Sequence, residues 1–334
     1  MNNRCKEFVF ENEEGVRVED KKDIYTELPS IPAGEYAEEL SVYTDKDGNK
    51  AGVPQGWIVS GVPKENIIWG KDLGLVLYYF PKGKVSGIDW KDQEKVEFLM
   101  RTYDQLVWLP VNMLSDTSTL DGNHFNEKFG RMNYRNEEFS ESEYHEPLVG
   151  ELAETKKSID IYGGYYITRY KVSKDKNTEK PRSIKGADPW TKIDFPTAKN
   201  AAATMAKSEN LMSHLTYGAE YDTRNKWPIE TGTVTKKEIA EDSTRLGNYY
   251  NNNNYPKKIV KTGKDGCVNN IYGFAGNVDE LTQEQSRSSN HVIRGGDYEG
   301  KGSIYPVGCR DYVGPSSICG GTGFRATFYI KVAI

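Results

Sequence analysis

Short apolar runs separated by polar stretches dominate the chain after residue 52. Residues 53–61 (VPQGWIVSG), 73–80 (LGLVLYYF) and 106–111 (LVWLPV) are brief and bounded by proline or glycine. Runs of this length, rich in Val, Leu and aromatic residues, suit buried strands better than helices, which need a longer periodic pattern. The pattern therefore predicts three buried strands between residues 53 and 111.

The centre of the chain adds one more strand and several helices. Alternating large residues after a glycine pair predict a strand over 161–170. Pro196 opens a helix, because proline is tolerated in a first turn, and alanines follow it at helical spacing. A second helix is predicted over about 217–227, and a short exposed helix over the acidic stretch 136–146, within an otherwise polar region. This mixture indicates an α+β protein.

Residues 1–51 are charged and weakly patterned, and we interpret them as a small N-terminal arm or attachment segment. Residues 45–49 (DKDGN) contain an Asp-Gly pair of the kind that closes a β-hairpin. The same residues have some character of a calcium loop, but the later acidic ligands of such a loop are missing. A hairpin turn is the preferred interpretation, and the main domain is predicted to span 52–334.

The composition is that of a folded, polar, acidic protein. Hydrophobic residues make up 37% of the chain, charged residues 28%, and the formal net charge is -5. No basic run with interleaved aromatic rings occurs, so nucleic acid is not an expected partner. No stretch resembles a signal peptide or a bilayer-spanning helix. We expect a protein that is made in the cytoplasm, does not insert into membranes, and reaches any outside location by another route, such as a virus particle.

The most unusual stretch lies near the C-terminus. Residues 297–322 number 26, and 12 of them are Gly, Ser or Tyr. Binding loops have this composition because rigid amphipathic rings supply contact area while small residues adapt between them. Loops this long are uncommon unless they have a function. We therefore take the 297–322 segment as the candidate binding site, with an idle surface loop as the alternative.

Other chemistry has little support in the sequence. Asp279 and Glu280 are adjacent, and adjacent positions on a strand point to opposite faces, so they do not form an acid–base pair. Four cysteines are too scattered for a disulfide framework, and Cys309 and Cys319 either pair across the segment or remain free thiols. None of the four histidines has zinc-ligand spacing. They are His124, His145, His214 and His291.

Several motifs occur in an order that resembles the formylglycine-generating enzyme (sulfatase-modifying factor) family. They are residues 163–167 (GGYYI), 214–221 (HLTYGAEY), 276–281 (GNVDEL), 294–298 (RGGDY) and 323–325 (GFR). This chain departs from the family pattern at Asp279 and Leu281, where the family has tryptophan. The resemblance covers about residues 52–334 and implies a C-type-lectin-like fold of the formylglycine-generating type.

The catalytic centre of that family has no counterpart here. Active members use two cysteines, five residues apart, shortly before an arginine that matches Arg310. The matched positions are Gly302 and Val307, and neither is a thiol. A copper-assisted thiol oxidation centre therefore cannot be assembled from matched positions, and we do not expect an enzyme. An oxidase acting on a protein cysteine is kept as the alternative.

The C-terminal arrangement also resembles the variable proteins of diversity-generating retroelements, which use the same fold for display. Their variable region lies between an Arg-Gly-Gly and a Gly-Phe-Arg motif, as residues 297–322 do here. Similar proteins are typical of gut bacteria and their phages. The resemblance implies a non-catalytic receptor-binding or adhesion protein, on a phage tail or a cell surface, with a protein or glycan ligand on a host or neighbouring cell. A structural virion or surface subunit is a further alternative.

Twelve residues of the segment are predicted to contact that ligand. Apolar residues and thiols in an otherwise polar loop suggest diversified positions, and Tyr312 is the side chain most expected to touch ligand. Tyr305, which precedes a proline, is expected to be structural. The predicted ligand residues are Tyr298, Glu299, Ser303, Ile304, Val307, Cys309, Asp311, Tyr312, Val313, Ser316, Ile318 and Cys319.

The family resemblance further implies a structural calcium ion, while no other cofactor is expected. Its ligands would be the side-chain oxygens of Asn277 and Glu280 and the carbonyl of Val278, since calcium prefers oxygen ligands. The alternative is that Asn277 satisfies backbone groups in a buried turn and Glu280 pairs with a nearby arginine.

Overall fold

The structure, a computed structural model, describes residues 10–11, 17–18, 34–44, 49–61, 74–80, 88–115, 128–135, 144–146, 150–286 and 289–332. Within these residues the α-helices are α1 (Gln93–Thr102), α2 (Glu151–Tyr162), α3 (Phe195–Ala203), α4 (Gly218–Glu230) and α5 (Lys236–Ala240). The strands are β1 (Phe10–Glu11), β2 (Arg17–Val18), β3 (Ser41–Thr44), β4 (Lys50–Val53), β5 (Trp57–Val59), β6 (Val76–Tyr79), β7 (Gln105–Leu109), β8 (Tyr144–His145), β9 (Tyr165–Thr168), β10 (Ser173–Lys174), β11 (Pro181–Arg182), β12 (Leu211–Leu215), β13 (Gly247–Asn248), β14 (Cys267–Val268), β15 (Ile271–Tyr272), β16 (Ala275–Gly276), β17 (Asp279–Ser286), β18 (His291–Arg294), β19 (Arg310–Val313), β20 (Thr322–Phe324) and β21 (Ala326–Ile330). The expected mixture of helices and sheets is confirmed.

Six strands form the larger sheet, in the order β12-β21-β9-β7-β6-β5, and all neighbours are antiparallel. The three strands predicted between residues 53 and 111 are members of this sheet. The strand predicted over 161–170 is present as β9, which is shorter. Residues 161 and 162 belong to helix α2 instead. Strand β21 near the C-terminus lies inside the sheet, between β12 and β9.

The larger sheet is buried on both faces, which explains the continuous apolar runs. Successive residues of β7 alternate between two core clusters: Val107 belongs to one, and Leu106 and Trp108 belong to the other. The same alternation occurs in β5, where Ile58 faces the first cluster and Trp57 the second. Because side chains of a strand point alternately to opposite faces, the two clusters lie on opposite sides of the sheet.

The second sheet carries the candidate binding segment. Its strand order is β19-β18-β17-β20, with the short β8 also pairing to β17. Strand β17 is antiparallel to β18 and parallel to β20, so that Glu280 lies opposite both Arg294 and Gly323. The strands that precede and follow the 297–322 segment are thus the two neighbours of β17.

Two predicted helices are confirmed. Helix α3 starts at Phe195, one residue before the expected proline, and the Asp194 carboxylate accepts a hydrogen bond from Thr197 N at 3.0 Å and caps the first turn. It buries Ala198, Ala201 and Ala202 on one face. Helix α4 covers the second predicted helix and extends three residues beyond it.

No helix in the described part of the chain has the length and apolar character needed to cross a lipid bilayer.

Helices α1, α2 and α5 were not predicted, and the last residues of one predicted helix form a strand instead. Helix α2 reaches into the first two residues of the strand predicted over 161–170, and it ends at Gly163, which adopts a left-handed conformation with φ of +85°. Of the helix predicted over 136–146, residues 136–143 lie outside the described residues. Tyr144–His145 is a strand, because it pairs with β17.

The predicted boundary between residues 51 and 52 falls inside strand β4. Strands β3 and β4 form an antiparallel hairpin, as the Asp-Gly pair predicted, although the turn residues 45–48 lie outside the described residues. Ala37, Tyr43 and Ala51 are buried in the same core cluster as Trp57. The described residues between 34 and 51 therefore pack with the main domain, and the structure does not separate them from it at residue 51.

Candidate ligand-binding segment

Both ends of the 297–322 segment are fixed to one short stretch, residues 276–279. Before the segment, Gly276 N donates a hydrogen bond to Gly295 O at 2.8 Å. At its end, Asp279 N donates to Gly321 O at 2.7 Å. The chain therefore enters and leaves the segment beside the same four residues, 276–279.

The first half of the segment lies on residues 239–251. Tyr250 N donates to Gly300 O at 2.9 Å, and Gly308 N donates to Ile239 O at 2.8 Å. Gly302 packs so closely against Thr244 that a Cβ atom would lie 2.3 Å from the Thr244 nitrogen. These backbone contacts attach the first half to residues 239–251 without involving its exposed side chains.

A turn at residues 303–305 projects from these anchors into solvent. Ile304 is 52% exposed and Tyr305 is 39% exposed, and Ser303 between the anchors is exposed as well. The following Pro306 is buried. Part of the Tyr305 ring packs against Gly300, where an added Cβ atom would lie 2.9 Å from Tyr305 Cδ2, and the rest of the ring faces solvent. The expected structural role of Tyr305 stays a prediction.

Val307 is not a ligand-contact residue, which corrects its prediction. Its side chain is fully buried and belongs to the same core cluster as Ile239. Its backbone nitrogen donates to the Ser243 hydroxyl at 2.8 Å. A buried valine held in this way cannot reach a ligand at the surface.

The second half of the segment begins as a strand rather than a loop. Strand β19 pairs along β18 at the edge of the sheet, and its Asp311 and Tyr312 are exposed, with Tyr312 at 53%. Val313 is half-buried against the second core cluster. A turn follows, in which Ser317 N donates to Gly314 O at 2.9 Å.

The last residues of the segment are tied to the start of helix α3. Phe195 N donates to Pro315 O at 3.3 Å, and Lys192 N donates to Cys319 O at 3.2 Å. Between these two anchors Ile318 is 63% exposed. A large apolar side chain that is exposed on a backbone fixed on both sides is available for contact with a partner.

The structure thus divides the twelve predicted ligand residues into three groups. Val307 is buried, and four residues are half-buried: Tyr298, Cys309, Val313 and Cys319. Seven are exposed: Glu299, Ser303, Ile304, Asp311, Tyr312, Ser316 and Ile318. Eleven of the twelve therefore have some accessible surface.

A set of buried ion pairs, here called the arginine network, lies beneath the segment. Its members are Arg131, Arg294, Arg310, Asp222 and Glu284. Arg294 Nη2 lies 2.6 Å from Asp222 Oδ1, and Arg310 Nε lies 2.9 Å from Glu284 Oε1. Arg310 Nη2 also contacts Asp222 Oδ2, and Arg131 Nη1 lies 3.3 Å from Glu284.

The arginine network joins the segment to helix α4 and strand β17. Arg310 belongs to β19, whereas Asp222 lies on α4 and Glu284 on β17. All five side chains of the network are at most 5% exposed. Breaking one member of such a pair leaves a buried charge uncompensated, which is strongly destabilising.

Tyr250 is an accessible residue that the sequence interpretation missed. It is 45% exposed, lies next to the segment through its bond to Gly300, and has Lys257 Nζ 4.0 Å from its ring centre. A polar groove of about 590 Å³ adjoins this region and includes Asn251, Asn253 and Asn254 in its lining. The four consecutive asparagines after Tyr250 were the available signal, because such a polar run places a neighbouring aromatic ring at the surface.

The predicted calcium ligands are engaged in other interactions. Asn277 Oδ1 accepts from Asn248 Nδ2 at 3.0 Å and from Val260 N at 2.8 Å, so it satisfies groups within a buried turn. Glu280 Oε1 accepts from Arg325 Nε at 2.9 Å, and Arg224 Nη1 lies 3.1 Å from Glu280 Oε2. These are the contacts that the alternative interpretation expected of Asn277 and Glu280.

The segment contains two cysteines, neither at a position matched to the catalytic pair of the formylglycine-generating family. Cys309 and Cys319 do not form a disulfide bond with each other. The Cys309 thiol accepts a hydrogen bond from Arg135 Nη1 at 3.1 Å. Gly302 and Val307, which occupy the matched catalytic positions, are both buried.

His291, on strand β18 just before the segment, makes the stability of the fold sensitive to acid. Its ring stacks on Phe195, and burial together with nearby Lys199 lowers the pKa of His291 to about 4. An ordinary histidine has a pKa near 6.5, so the unfolded chain takes up the proton at a higher pH than the folded chain does. The stability that His291 contributes is therefore complete above about pH 6.5 and is lost as the pH falls toward 4.

We expect the variant His291→Phe to lose this part of the acid sensitivity. Wild type and variant should have similar unfolding midpoints near pH 7.5, and the variant should become the more stable of the two as the pH falls to 4.5. Thermal unfolding followed by circular dichroism across this range measures the difference. His145→Gln, which changes an exposed histidine, should keep the wild-type profile. Parallel curves for wild type and His291→Phe would contradict the assignment.

Comparisons with known proteins give distant structural similarities. No protein-family profile matches the chain, and no curated protein matches it. PvdO from Pseudomonas aeruginosa has 16% identity over 51% of this chain and 82% of its own, with a TM-score of 0.38. CarF has 13% identity over 51% of this chain and 87% of its own, with a TM-score of 0.33. Treponema denticola variable protein 1 has 16% identity over 67% and 84%, with a TM-score of 0.27, and is by name a variable protein, the class that the terminal motifs resemble.

Proposed function

We propose that the chain is a non-catalytic ligand-binding protein that uses its 297–322 segment to contact a protein or glycan on another cell. The segment would be displayed by a C-type-lectin-like domain of the formylglycine-generating type. One observation carries the proposal: large side chains are exposed on a backbone that is fixed at its ends and in its middle. Ile304, Tyr312 and Ile318 are each more than half exposed on this backbone.

The energetics of binding favour such an arrangement. A flexible loop loses conformational freedom when it binds, whereas a backbone already fixed by the frame does not. Aromatic and large apolar side chains at the centre of an interface supply most of its binding energy. Tyr312 stands on a paired strand and Ile318 stands between two backbone anchors, so each combines a large exposed side chain with a fixed backbone.

The absence of matched thiols supports a binding role over the parent oxidase activity. A side chain at position 302 would collide with the Thr244 backbone, so a cysteine could not be accommodated there without movement. A location on a phage tail or a cell surface follows from the resemblance to variable proteins and forms part of this proposal.

The test measures binding of labelled protein to a panel of gut bacterial isolates by flow cytometry. For an isolate that binds wild type, the double variant Tyr312→Ser/Ile318→Ser should bind at least about 30-fold more weakly, because a hot-spot residue contributes about 2 kcal/mol or more. Its unfolding midpoint should stay near that of wild type, since both side chains are exposed.

Phe98→Ser is the matched control, because Phe98 is 61% exposed but lies on helix α1, outside the segment. It should leave binding unchanged. Equal loss in the control, or no loss in the double variant, would argue against the segment as the binding site. Copper-dependent oxidation of a cysteine peptide by the purified protein would instead favour the oxidase alternative, and an absence of binding to any isolate would favour a structural subunit.

A further inference from the structure

A buried lysine stands where the family resemblance places a metal ion. Lys171 Nζ donates to Gly276 O at 2.9 Å and also to Val278 O, and it lies 3.4 Å from Glu280 Oε1. The side chains of Lys171 and Glu280 are each 1% exposed. Two of the three expected calcium ligands, the Val278 carbonyl and the Glu280 carboxylate, therefore surround an ammonium group.

The chain at this point is bent so that the carbonyls of Gly276 and Val278 reach one donor. Gly276 has φ of +67° and Asn277 has φ of +69°, and two left-handed residues in succession turn the backbone sharply. The carbonyls on either side of this bend, at Gly276 and Val278, both accept from Lys171. A lysine ammonium has three N–H donors, and the two carbonyls and the Glu280 carboxylate supply three acceptors.

We propose that the Lys171 ammonium performs the role of the structural cation at this position, so that the base of the 297–322 segment needs no calcium. A calcium ion binds oxygen ligands at about 2.3–2.6 Å and requires six to eight of them. The ammonium already occupies the space between these oxygens. The third expected ligand is also lost to a metal, because both hydrogen-bond donors to Asn277 Oδ1 come from the protein itself.

The same bend fixes both ends of the segment. Gly276 N holds Gly295 before the segment, and Asp279 N holds Gly321 after it. Lys171 lies more than one hundred residues earlier in the chain, just after the end of strand β9 in the larger sheet. The lysine therefore ties the segment's attachment point to the larger sheet through charge and hydrogen bonds.

The test compares calcium dependence with the loss of the lysine. The thermal unfolding midpoint of the full wild-type chain is measured in EDTA and in millimolar calcium chloride, and the two values should agree within about 1 °C. Lys171→Met removes the ammonium and keeps an apolar stem of similar length. Its midpoint should fall by about 5 to 10 °C, because a buried charge pair loses one partner.

Lys174→Met is the matched control, because Lys174 forms a surface pair with Glu179 and its side chain is 38% exposed. It should shift the midpoint by no more than about 2 °C. A failure of Lys171→Met to fold, while Lys174→Met folds, would support the proposal as an extreme form of the expected loss. Stabilisation of wild type by calcium, or a Lys171→Met midpoint equal to that of Lys174→Met, would overturn it. None of these outcomes depends on whether the segment binds a ligand.

Discussion

Replacing Glu280 with glutamine is expected to lower the free energy of unfolding by about 3–5 kcal/mol, which is the usual cost of breaking a buried ion pair. The Glu280 carboxylate forms ion pairs with the guanidinium groups of Arg325 and Arg224 and with the ammonium of Lys171. Burial alone would raise the pKa of Glu280, but Arg325, Arg224 and Lys171 together hold that pKa at about 2. The amide of glutamine is neutral and would leave three buried cations without their shared anion.

Urea unfolding of wild type and Glu280→Gln measures this loss. The contribution of Glu280 is present above the unfolded pKa near 4.5 and disappears as the pH falls toward 2, so the gap between the two proteins should narrow in acid. Glu299→Gln, at an exposed position of the segment, should change stability by less than about 0.5 kcal/mol. If the two variants were equally stable, the cluster around Glu280 would not be holding the fold together.

The second large effect is expected for Asp222→Asn, with a loss of about 3–5 kcal/mol. The Asp222 carboxylate lies between the guanidinium groups of Arg294 and Arg310, and it also accepts from Met132 N at 2.9 Å. Its side chain is fully buried. An asparagine amide would retain one acceptor and place N–H groups against a guanidinium.

This substitution should loosen strand β19 as well as the whole domain. Arg310 is the residue of β19 that reaches Asp222, so loss of the carboxylate removes an anchor of the segment's second half. Hydrogen exchange should therefore accelerate in β19 more than in β21, which lies inside the larger sheet. Asp311→Asn, at the exposed neighbouring position, should leave both stability and exchange near wild type. Uniform acceleration across both strands would show that Asp222 acts on global stability alone.

The sequence was most informative where a pattern has one physical cause. The apolar runs predicted β5, β6 and β7 because strands buried on both faces require continuous hydrophobic residues. Pro196 and the alanines after it predicted α3 because few other structures use that spacing. Helix α2 was missed because its charged residues outweighed the apolar Leu152 and Ile159, although the glycine at its C-terminal end was a usable signal.

Within the segment, sequence alone could not separate buried from exposed residues. Ile304 and Val307 are both apolar residues in a Gly-rich loop, yet Ile304 is 52% exposed and Val307 is fully buried. The difference arises from packing of Val307 beside Ile239, about 70 residues earlier in the chain. The same holds for Lys171, whose contacts with Gly276 and Val278 depend on tertiary structure and leave no local pattern.

The buried residues 306–308 divide the segment into two outward-facing patches, one at 303–305 and one around 311–318. A library that randomised all positions from 297 to 322 would consequently lose many members to misfolding, through polar or oversized residues at Val307 and Gly302. A library confined to the two patches would keep the fold while each patch evolved separately. A partner that engages both would then gain affinity in two independent steps, one for each patch.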